Sequence, residues 1–372
     1  MSDGRARVLI AGGGTGGHLT PALVVAATIR ELAPAVEPVL VGATRGLEAR
    51  LLPRKEFRFH LLPLEPIYRR QWWRNVRWPF VVPRLLRALD AVFRAERPRA
   101  VLGTGGYASA PVVWAALRRG LPAAIQEQNA WPGLANRFLA RRVREVYLGA
   151  PEAEARLALG ARTTAIYTGN PIRPPDPARR DAARRAFGLE AGRRVLLVTG
   201  GSQGALPINR AVAAWLDRGP VPDDLDVLWV TGHGTHAEFA PRHRPPRVQV
   251  IPYLDPMADA YAVADLVVSR AGMLTVAELC AWGLPAILVP LPTAAADHQA
   301  HNARALAADG AAVLLPQAEL DADRLAREVT GLLADAARRE ALAARARARG
   351  RPAAAREIAT RFLALAGLGN LT

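Results

Sequence analysis

Two segments of the chain begin alike, with an apolar run of strand length that leads into a glycine-rich loop. Residues 8–11 precede Gly12-Gly13-Gly14-Thr15-Gly16-Gly17, and residues 195–199 precede Gly200-Gly201-Ser202-Gln203-Gly204. Glycines at the end of a strand let backbone N–H groups approach an anion at the start of the following helix. A tight turn without a ligand is the alternative interpretation. Two such starts in 372 residues predict two Rossmann-like domains.

Apolar runs alternate with helix-period segments along the whole chain, which predicts an α/β fold with parallel sheets. A Pro-dense segment, residues 169–177, separates the halves and is interpreted as the interdomain linker. We expect the two domains to face each other across a cleft. The predicted strands are Val8–Ala11, Val39–Val41, Ala100–Leu102, Ala123–Ile125, Glu145–Leu148, Val195–Thr199, Val227–Val230, Val248–Ile251, Leu266–Ser269 and Ala286–Pro290.

The positive charge is concentrated in the first half. Residues 1–168 contain 25 Lys and Arg against 12 Asp and Glu, whereas residues 169–372 contain 24 against 21. An anionic ligand or surface is therefore expected to meet the first half. The single cysteine, Cys280, excludes an internal disulfide and a multi-cysteine zinc site. Glycine clusters or prolines interrupt the long uncharged stretches, so we expect no membrane-spanning helix and a protein of cytoplasmic character.

Candidate site residues of the first half follow the predicted strands. The first glycine loop matches a dinucleotide fingerprint, but the second strand ends in residues 40–44 without the expected ribose-binding acid, which disfavours a nicotinamide cofactor. His18 closes the loop and is either structural or a general base. Residues 103–107 and 126–129 follow two further strands, where open α/β sheets bind ligands. Loop capping is the alternative for residues 126–129.

The second half contains a matching set. Residues 200–204 form a second candidate anion cradle, and Arg173 on the linker is expected to reach the same cleft. Thr275 and Glu278 have the spacing of a capping box, and Glu278 is equally suited to accept hydrogen bonds from ribose hydroxyls. Asp297, His298 and His301 suggest a metal site, but a third ligand cluster is missing, so a hydroxyl-rich ligand is favoured.

Residues 68–87 combine arginines with aromatic side chains and contain no acidic residue. This composition suits binding to a membrane surface, where aromatic rings lie at the depth of the headgroups and arginines contact anionic lipid. Stacking on single-stranded nucleic acid is the rival, but no recognised nucleic-acid module accompanies the segment, so nucleic acid is not an expected partner. The candidate membrane residues are Trp72, Trp73, Trp78, Phe80, Arg69, Arg70, Arg74 and Arg77.

Seven motifs together resemble one family, the bacterial undecaprenyl-pyrophosphoryl-muramoylpentapeptide N-acetylglucosaminyltransferases of peptidoglycan synthesis. They occur in that family's order and approximate spacing, over essentially the full chain. They are Gly13–His18, Gly103–Tyr107, Glu127–Asn129, Gly169–Arg173, Gly200–Gly204, Ser269–Glu278 and His298-Gln299.

The resemblance implies a GT-B fold, with an acceptor-binding and membrane-associating domain of residues 1–168 plus about 350–372 and a donor-binding domain of residues 169–349. It implies an inverting β1-4 transfer of GlcNAc from UDP-GlcNAc to the C4 hydroxyl of MurNAc in lipid I, giving lipid II. The expected location is the cytoplasmic face of the plasma membrane, with other cell-wall or division proteins as further partners. No cofactor is required, although soluble Mg²⁺ can stimulate the reaction.

The resemblance also implies residue roles. The catalytic candidates are His18 and Glu127. The acceptor-binding candidates are Gly13, Gly14, His18, Gly105, Gly106, Tyr107 and Asn129. The donor-binding candidates are Thr15, Gly16, Gly17, Asn129, Arg173, Ser202, Gln203, Gly204, Tyr253, Leu254, Arg270, Gly272, Leu274, Thr275, Glu278, His298 and Gln299.

Two departures from the family pattern stand out. Gln126 occupies a position where the family commonly has histidine, and residues 253–257 differ in detail from the usual uracil segment. The alternatives are a related GT-B glycosyltransferase that acts on another lipid, such as a diacylglycerol, and a non-catalytic protein that binds nucleotide sugars.

Overall fold

The computed structural model describes residues 5–65, 72–201 and 203–371. The chain divides into two compact units, one formed by Met1–Arg173 with Ala353–Thr372 and the other by Pro174–Pro352. Each unit contains one sheet whose paired strands are parallel. The prediction of two Rossmann-like α/β domains is therefore confirmed.

The sheet of the first unit has the strand order β3-β2-β1-β4-β5-β6-β7. Short 3-10 helices, including Trp72–Arg77, lie between some of its elements. The strands are β1 (Ala6–Ala11), β2 (Val36–Ala43), β3 (Phe59–Leu62), β4 (Val101–Gly103), β5 (Ala123–Glu127), β6 (Glu145–Leu148) and β7 (Thr164–Tyr167). The helices before the linker are α1 (Gly16–Leu32), α2 (Leu47–Leu51), α3 (Trp78–Glu96), α4 (Ser109–Arg118) and α5 (Leu134–Leu139).

Both faces of this sheet are covered, because alternate side chains of each strand point to opposite faces. Leu9 and Ala11 of β1 belong to one apolar cluster, which also contains buried side chains of α3, α4 and α5. Val8 and Ile10 belong to a second cluster on the other face, with α1. The continuous apolar run that identified this strand in the sequence therefore reflects burial on two sides.

The sheet of the second unit has the strand order β10-β9-β8-β11-β12-β13. Its strands are β8 (Arg194–Thr199), β9 (Leu225–Val230), β10 (Val248–Ile251), β11 (Leu266–Ser269), β12 (Ala286–Leu288) and β13 (Val313–Leu314). Its helices are α6 (Arg179–Ala186), α7 (Leu206–Leu216), α8 (His236–Phe239), α9 (Ala258–Val263), α10 (Met273–Trp282), α11 (His298–Ala308), α12 (Ala322–Ala334) and α13 (Ala336–Arg349).

The last helix, α14 (Ala354–Leu365), belongs to the first unit although the second unit separates it in sequence from the rest. Its Ile358 and Phe362 are fully buried in the same cluster as Val25 and Ile29 of α1. The C-terminal helix therefore packs on the first unit.

No helix in the described part of the chain is both long enough and apolar enough to cross a membrane. Three strands escaped the sequence analysis, namely β3, β7 and β13. The prediction of a strand over Ala286–Pro290 was also too long, since β12 ends at Leu288.

Candidate active site

Each sheet has a switch point, which is the position where the connections between strands reverse direction. Open α/β sheets bind ligands there, outside the carboxyl ends of their strands. In the first unit it lies between β1 and β4, and in the second between β8 and β11. The two glycine loops follow β1 and β8. The two glycine loops therefore lie at the carboxyl ends of the strands, where a ligand of each unit would bind.

His18 is the third residue of α1 and lies against the loop that follows β4. Gly105 is required there, because it has a φ of 92° and a Cβ at this position would lie 2.7 Å from Nδ1 of His18. Burial lowers the pKa of His18, against smaller raising effects of Glu127 and Gln128. The imidazole is therefore neutral at pH 7, as a general base must be.

The two ring nitrogens of His18 have different surroundings. Nδ1 lies 3.2 Å from the side-chain oxygen of Gln128, whose amide nitrogen donates to the carbonyl of Thr104 at 2.6 Å. Among the described residues, Nε2 makes no hydrogen bond. One nitrogen is thus engaged by the protein, and the other is available to a ligand.

Glu127 is differently placed, because its carboxylate is buried and already accepts several hydrogen bonds. Oε1 accepts from the backbone N–H of Asn129 at 2.9 Å, and Oε2 from that of Gly133 and from the amide of Asn136, also at 2.9 Å. These bonds tie the end of β5 to the start of α5. This is the loop-capping alternative for residues 126–129, realised by one carboxylate.

The first glycine loop also differs from the anion cradle that the sequence suggested. The buried carboxylate of Glu48 accepts from the backbone N–H of Gly14, at 3.0 and 2.9 Å for its two oxygens. Tyr107 lies against Gly14 and donates its hydroxyl to the carbonyl of Arg45 at 2.7 Å. The loop therefore holds a carboxylate of this chain at Gly14, and that N–H is not available to a ligand.

The second glycine loop leads into α7, and its residues lie at the carboxyl end of β8. Gly204 has a φ of 74° and its N–H donates to the carbonyl of Gly201 at 2.9 Å, which closes a turn. Gln203 is exposed, and Ser202 lies outside the described residues.

Arg270 follows β11 but its guanidinium points into the second unit. It donates to the carbonyls of Val289 and Pro290, both at 3.1 Å, and to the side-chain oxygen of Gln317 at 2.7 Å. Burial lowers its pKa. This arginine therefore fixes the loop after β12.

Glu278 lies in α10, and its Oε2 accepts from the hydroxyl of Tyr261 at 3.0 Å. The capping-box interpretation of Thr275 and Glu278 is wrong, because α10 begins at Met273 with Gly272 at its N-cap. Glu278 is half-buried, as are Leu274 and Thr275. Its carboxylate is oriented by a buried phenol, which sequence analysis did not detect because Tyr261 is on another helix.

Tyr253 follows β10 and stacks on His233, which follows β9, with ring centroids 5.3 Å apart. Tyr253 is exposed and Leu254 is half-buried. His233 was not identified from the sequence, since a single histidine in a Thr-Gly-His-Gly turn gives no distinctive signal.

Gln299 and His298 open α11. The side-chain oxygen of Gln299 accepts from the N–H of Leu291 at 3.0 Å, so this amide is tied to the loop after β12. No group of three or more His, Cys, Asp or Glu side chains within residues 5–65, 72–201 and 203–371 is placed to hold a metal ion.

The remaining candidates are placed as follows. Arg173 is exposed at the end of the first unit. Thr15 is the exposed N-cap of α1, followed by Gly16 and Gly17. The amide of Asn129 donates to Glu127 at 3.3 Å.

The basic aromatic segment is only partly described. Arg69 and Arg70 lie outside the described residues, and Trp72 and Arg74 are described by their backbone alone. Trp73 and Phe80 are 57% and 74% exposed, Arg77 is exposed and Trp78 is half-buried.

Family models match both halves of the chain. The glycosyltransferase family 28 N-terminal domain matches residues 8–148, and the family 28 C-terminal domain matches residues 195–359. Two relatives carry the name UDP-N-acetylglucosamine--N-acetylmuramyl-(pentapeptide) pyrophosphoryl-undecaprenol N-acetylglucosamine transferase. The one from Salinibacter ruber is 43% identical over 98% of each chain, and the one from Carboxydothermus hydrogenoformans is 41% identical over 88% of this chain and 89% of its own.

Solved structures agree. The crystal structure of MurG from Acinetobacter baumannii has a TM-score of 0.77 at 27% identity, over 96% of this chain and 99% of its own. A UDP-GlcNAc 2-epimerase from Neisseria meningitidis, with a TM-score of 0.65 at 14% identity over 97% of this chain and 100% of its own, shares the fold alone.

The two parallel-sheet units, taken together with the two family models and the MurG structure, place this chain in the class of GT-B glycosyltransferases. Within that class, this chain belongs to glycosyltransferase family 28, among the UDP-N-acetylglucosamine--N-acetylmuramyl-(pentapeptide) pyrophosphoryl-undecaprenol N-acetylglucosamine transferases.

Proposed function

We propose that this protein transfers GlcNAc from UDP-GlcNAc to the C4 hydroxyl of MurNAc in lipid I, and so forms lipid II. The family membership supports the donor, the acceptor and the hexosyltransferase reaction. The observation that best supports this chemistry is the state of His18 at the switch point of the first unit. Its imidazole is neutral, and only one of its ring nitrogens is hydrogen-bonded to the described protein.

An α-linked sugar nucleotide that gives a β-linked product requires a single inverting displacement. The C4 oxygen of the acceptor forms a bond to the anomeric carbon of GlcNAc while the bond from that carbon to the β-phosphate oxygen breaks. The bonding pair leaves with UDP, and the hydroxyl proton moves to Nε2 of His18. One base and one stabilised leaving group suffice.

His18 is favoured over Glu127 as the base. Both oxygens of Glu127 accept hydrogen bonds from backbone and amide donors, and its side chain is buried. Protonating this carboxylate would break at least one of those bonds and leave a donor unpaired. Glu127 instead stabilises the protonated form of His18 by charge, since it raises the pKa of the imidazole.

Donor binding is assigned to the second unit. The N-termini of α7 and α10 follow the neighbouring strands β8 and β11, and helix N-termini favour the phosphates of a nucleotide. Glu278, oriented by Tyr261, is the candidate acceptor for ribose hydroxyls. Ser202 and Arg173 are the candidate phosphate contacts, and Tyr253 with Leu254 the candidate uracil contacts.

We also propose that transfer requires no protein-bound metal, because backbone N–H groups and arginine can stabilise the departing UDP. Transfer by EDTA-treated protein in metal-free buffer is expected to continue, with stimulation by Mg²⁺ at most severalfold. Complete loss that Mg²⁺ restores would contradict this part of the proposal.

The membrane surface is the proposed location of the acceptor. Trp73, Val76 and Phe80 are exposed beside Arg77, and α3, α4 and α5 share one face of the first sheet. Exposed Trp114 and Phe138 of α4 and α5 lie under the guanidinium groups of Arg118 and Arg142. Aromatic rings with arginines suit the headgroup region of an anionic leaflet.

The test is transfer of labelled GlcNAc from UDP-GlcNAc to a short-chain lipid I analogue, with UDP release followed in parallel. His18→Ala is expected to lower kcat by about 10²- to 10⁴-fold with little change in donor affinity, because the base acts in the transition state. His243→Ala is the matched control and should retain activity, because among the described residues the His243 side chain is hydrogen-bonded only to the N–H of Val250, in the second unit.

Each outcome of that assay is informative. Binding of UDP-GlcNAc without transfer to the analogue, but with transfer to a diacylglycerol, would identify a related enzyme with another lipid acceptor. Binding without any transfer would identify a nucleotide-sugar binding protein. Near-normal turnover of His18→Ala would exclude His18 as the base.

A further inference from the structure

A chain of three side-chain amides lies behind His18 and is buried in the first unit. Asn170 follows β7, Gln126 lies in β5, and Gln128 comes directly after β5. The three amides therefore extend from the linker to the carboxyl end of β5. We propose that Asn170 and Gln126, together with the carbonyl of Thr104, fix the side-chain amide of Gln128, which holds His18 in the tautomer with its proton on Nδ1. The part of this inference that concerns rate rests on the proposed function.

Two backbone carbonyls fix the direction of the chain, because a carbonyl oxygen can only accept. The carbonyl of Gln128 receives the amide nitrogen of Asn170 at 3.1 Å, so the oxygen of Asn170 faces Gln126. At the other end, the carbonyl of Thr104 receives the amide nitrogen of Gln128 at 2.6 Å. Neither terminal amide can rotate by half a turn without placing two acceptors together.

The middle of the chain follows from its ends. The amide nitrogen of Gln126 donates to the oxygen of Asn170 at 2.9 Å, and the oxygen of Gln126 accepts from the amide nitrogen of Gln128. The oxygen of Gln128 is then the atom that faces Nδ1 of His18, at 3.2 Å. An amide oxygen has no proton to give, so Nδ1 must be the donor in this pair.

The consequence for catalysis is direct. A neutral imidazole carries one proton, and the bond made by one nitrogen decides the state of the other. With the proton on Nδ1, Nε2 has a free electron pair and can accept the proton of the acceptor hydroxyl. Gln126 touches neither His18 nor a substrate, so it is a positioning residue.

The tautomer can be observed without any activity, through long-range ¹H–¹⁵N correlation spectra of the full chain labelled at histidine. The His18 signal is assigned by its loss in His18→Gln. We expect the wild-type spectrum to show a protonated Nδ1. In Gln126→Leu one N–H of the Gln128 amide loses its acceptor and only the Thr104 carbonyl still opposes rotation of that amide, so we expect a second tautomer to appear. In Gln126→His, ring nitrogens that can accept from Gln128 and donate to Asn170 should restore the single tautomer.

Kinetics supply the second readout. Gln126→Leu should lower kcat by roughly 10- to 100-fold with an unchanged KM for UDP-GlcNAc, since a base in the wrong tautomer fails only in the transition state. Gln126→His should recover most of that loss. The matched control is Gln249→Leu, another buried amide, which donates to the carbonyl of Phe187 in the second unit. It should leave both the tautomer and kcat unchanged.

The outcomes separate this proposal from the proposed function. If the wild type shows a protonated Nε2, or if Gln126→Leu keeps a single Nδ1–H tautomer and its kcat, the proposal is overturned whatever reaction the enzyme catalyses. If the spectra agree but the wild type transfers no GlcNAc, the proposal about the His18 tautomer stands and the proposed function fails.

A second variant covers the case in which Gln126→Leu does not fold. Gln128→Met removes the oxygen that faces Nδ1, a contact that raises the pKa of His18. We expect the midpoint of the His18 titration, followed in the same spectra, to fall by about half a pH unit, as the loss of one hydrogen bond would give. An unchanged midpoint would show that residue 128 does not face Nδ1 and would overturn the proposal.

Discussion

Glu48 places a buried negative charge directly beneath the first glycine loop. Its carboxylate accepts from the N–H groups of Gly14 and of Ala43, the latter at 3.2 Å. The pKa of His18 is lowered chiefly by burial, and the charge of Glu48 is one of the smaller effects that raise it. This carboxylate therefore both fixes the loop and influences the base.

The pH dependence of transfer follows from these effects. Because the pKa of His18 lies below the usual 6.5, most of the imidazole is still neutral at pH 6.5, and activity is lost only at lower pH. We expect the acidic limb of kcat/KM to have its midpoint below pH 6.5. Glu48→Gln removes a charge that favours the imidazolium, so the midpoint should move further down. An upward movement in this variant would contradict the assigned geometry.

Tyr261 allows the role of Glu278 to be tested at one atom. Burial, followed by the charge of Glu278, raises the pKa of the Tyr261 phenol well above its usual value, so its hydroxyl is a permanent donor. Tyr261→Phe removes only that donor. We expect the KM for UDP-GlcNAc to rise about 3- to 30-fold with a nearly constant kcat, which corresponds to one hydrogen bond to a charged group. A fall in kcat alone would exclude the donor-binding role of Glu278.

The site residues that sequence analysis found are those next to a recognisable local pattern. His18 closes a glycine loop and Glu278 follows a strand and a loop, so chain position alone suggests a ligand. Glu48 and Tyr261 could not be found in this way. Each meets its partner through the fold, and Glu48 is 34 residues from Gly14.

At the scale of elements, the strands that the sequence failed to reveal are all at the edges of the two sheets. β3 and β7 flank the first sheet and β13 flanks the second. Most residues of these strands are only partly buried, whereas the central strands are buried almost throughout. Hydrophobic runs detect strands that are well buried, and these three edge strands lack that signal. The edge strand β10 is mostly buried and was predicted with its observed bounds.

The packing of α14 gives a stability prediction. Phe362 is fully buried between α14 and α1, whereas its neighbour Arg361 is exposed and pairs only with Glu357 among the described residues. Phe362→Ala is expected to lower the free energy of unfolding of the first unit by about 3–5 kcal/mol, through lost burial and a residual cavity. Arg361→Ala should cost less than about 1 kcal/mol. Urea unfolding followed by tryptophan fluorescence compares the two variants.

Similar losses in both variants would show that α14 adds little to the core of the first unit. Retention of UDP-GlcNAc binding by Phe362→Ala, at a temperature where the first unit is destabilised, would place the donor site in the second unit as proposed.

At the scale of the whole molecule, the charge of the chain is +16, and the excess lies almost entirely before residue 169. The first unit includes this part of the chain and the exposed aromatic residues Trp73 and Phe80. Attraction of arginines to an anionic leaflet contributes about 1 kcal/mol per residue near the surface and falls off within a Debye length. The proposed membrane association should therefore combine a salt-sensitive and a salt-insensitive contribution.

Sedimentation with vesicles of phosphatidylglycerol and phosphatidylcholine separates the two contributions. We expect binding to the mixed vesicles to weaken steeply between low and high salt, and binding to phosphatidylcholine alone to be weak throughout.

Trp73→Ser combined with Phe80→Ser should weaken the binding that remains at high salt, because the rings no longer enter the interface. The same double variant should keep its activity on a short-chain, water-soluble acceptor, since neither residue lies at the switch point. Leu159→Ser, at an exposed apolar position of the first unit outside this segment, is the control and should bind vesicles normally. Equal loss of activity on soluble and vesicle-bound acceptors would instead show that Trp73 and Phe80 support the fold.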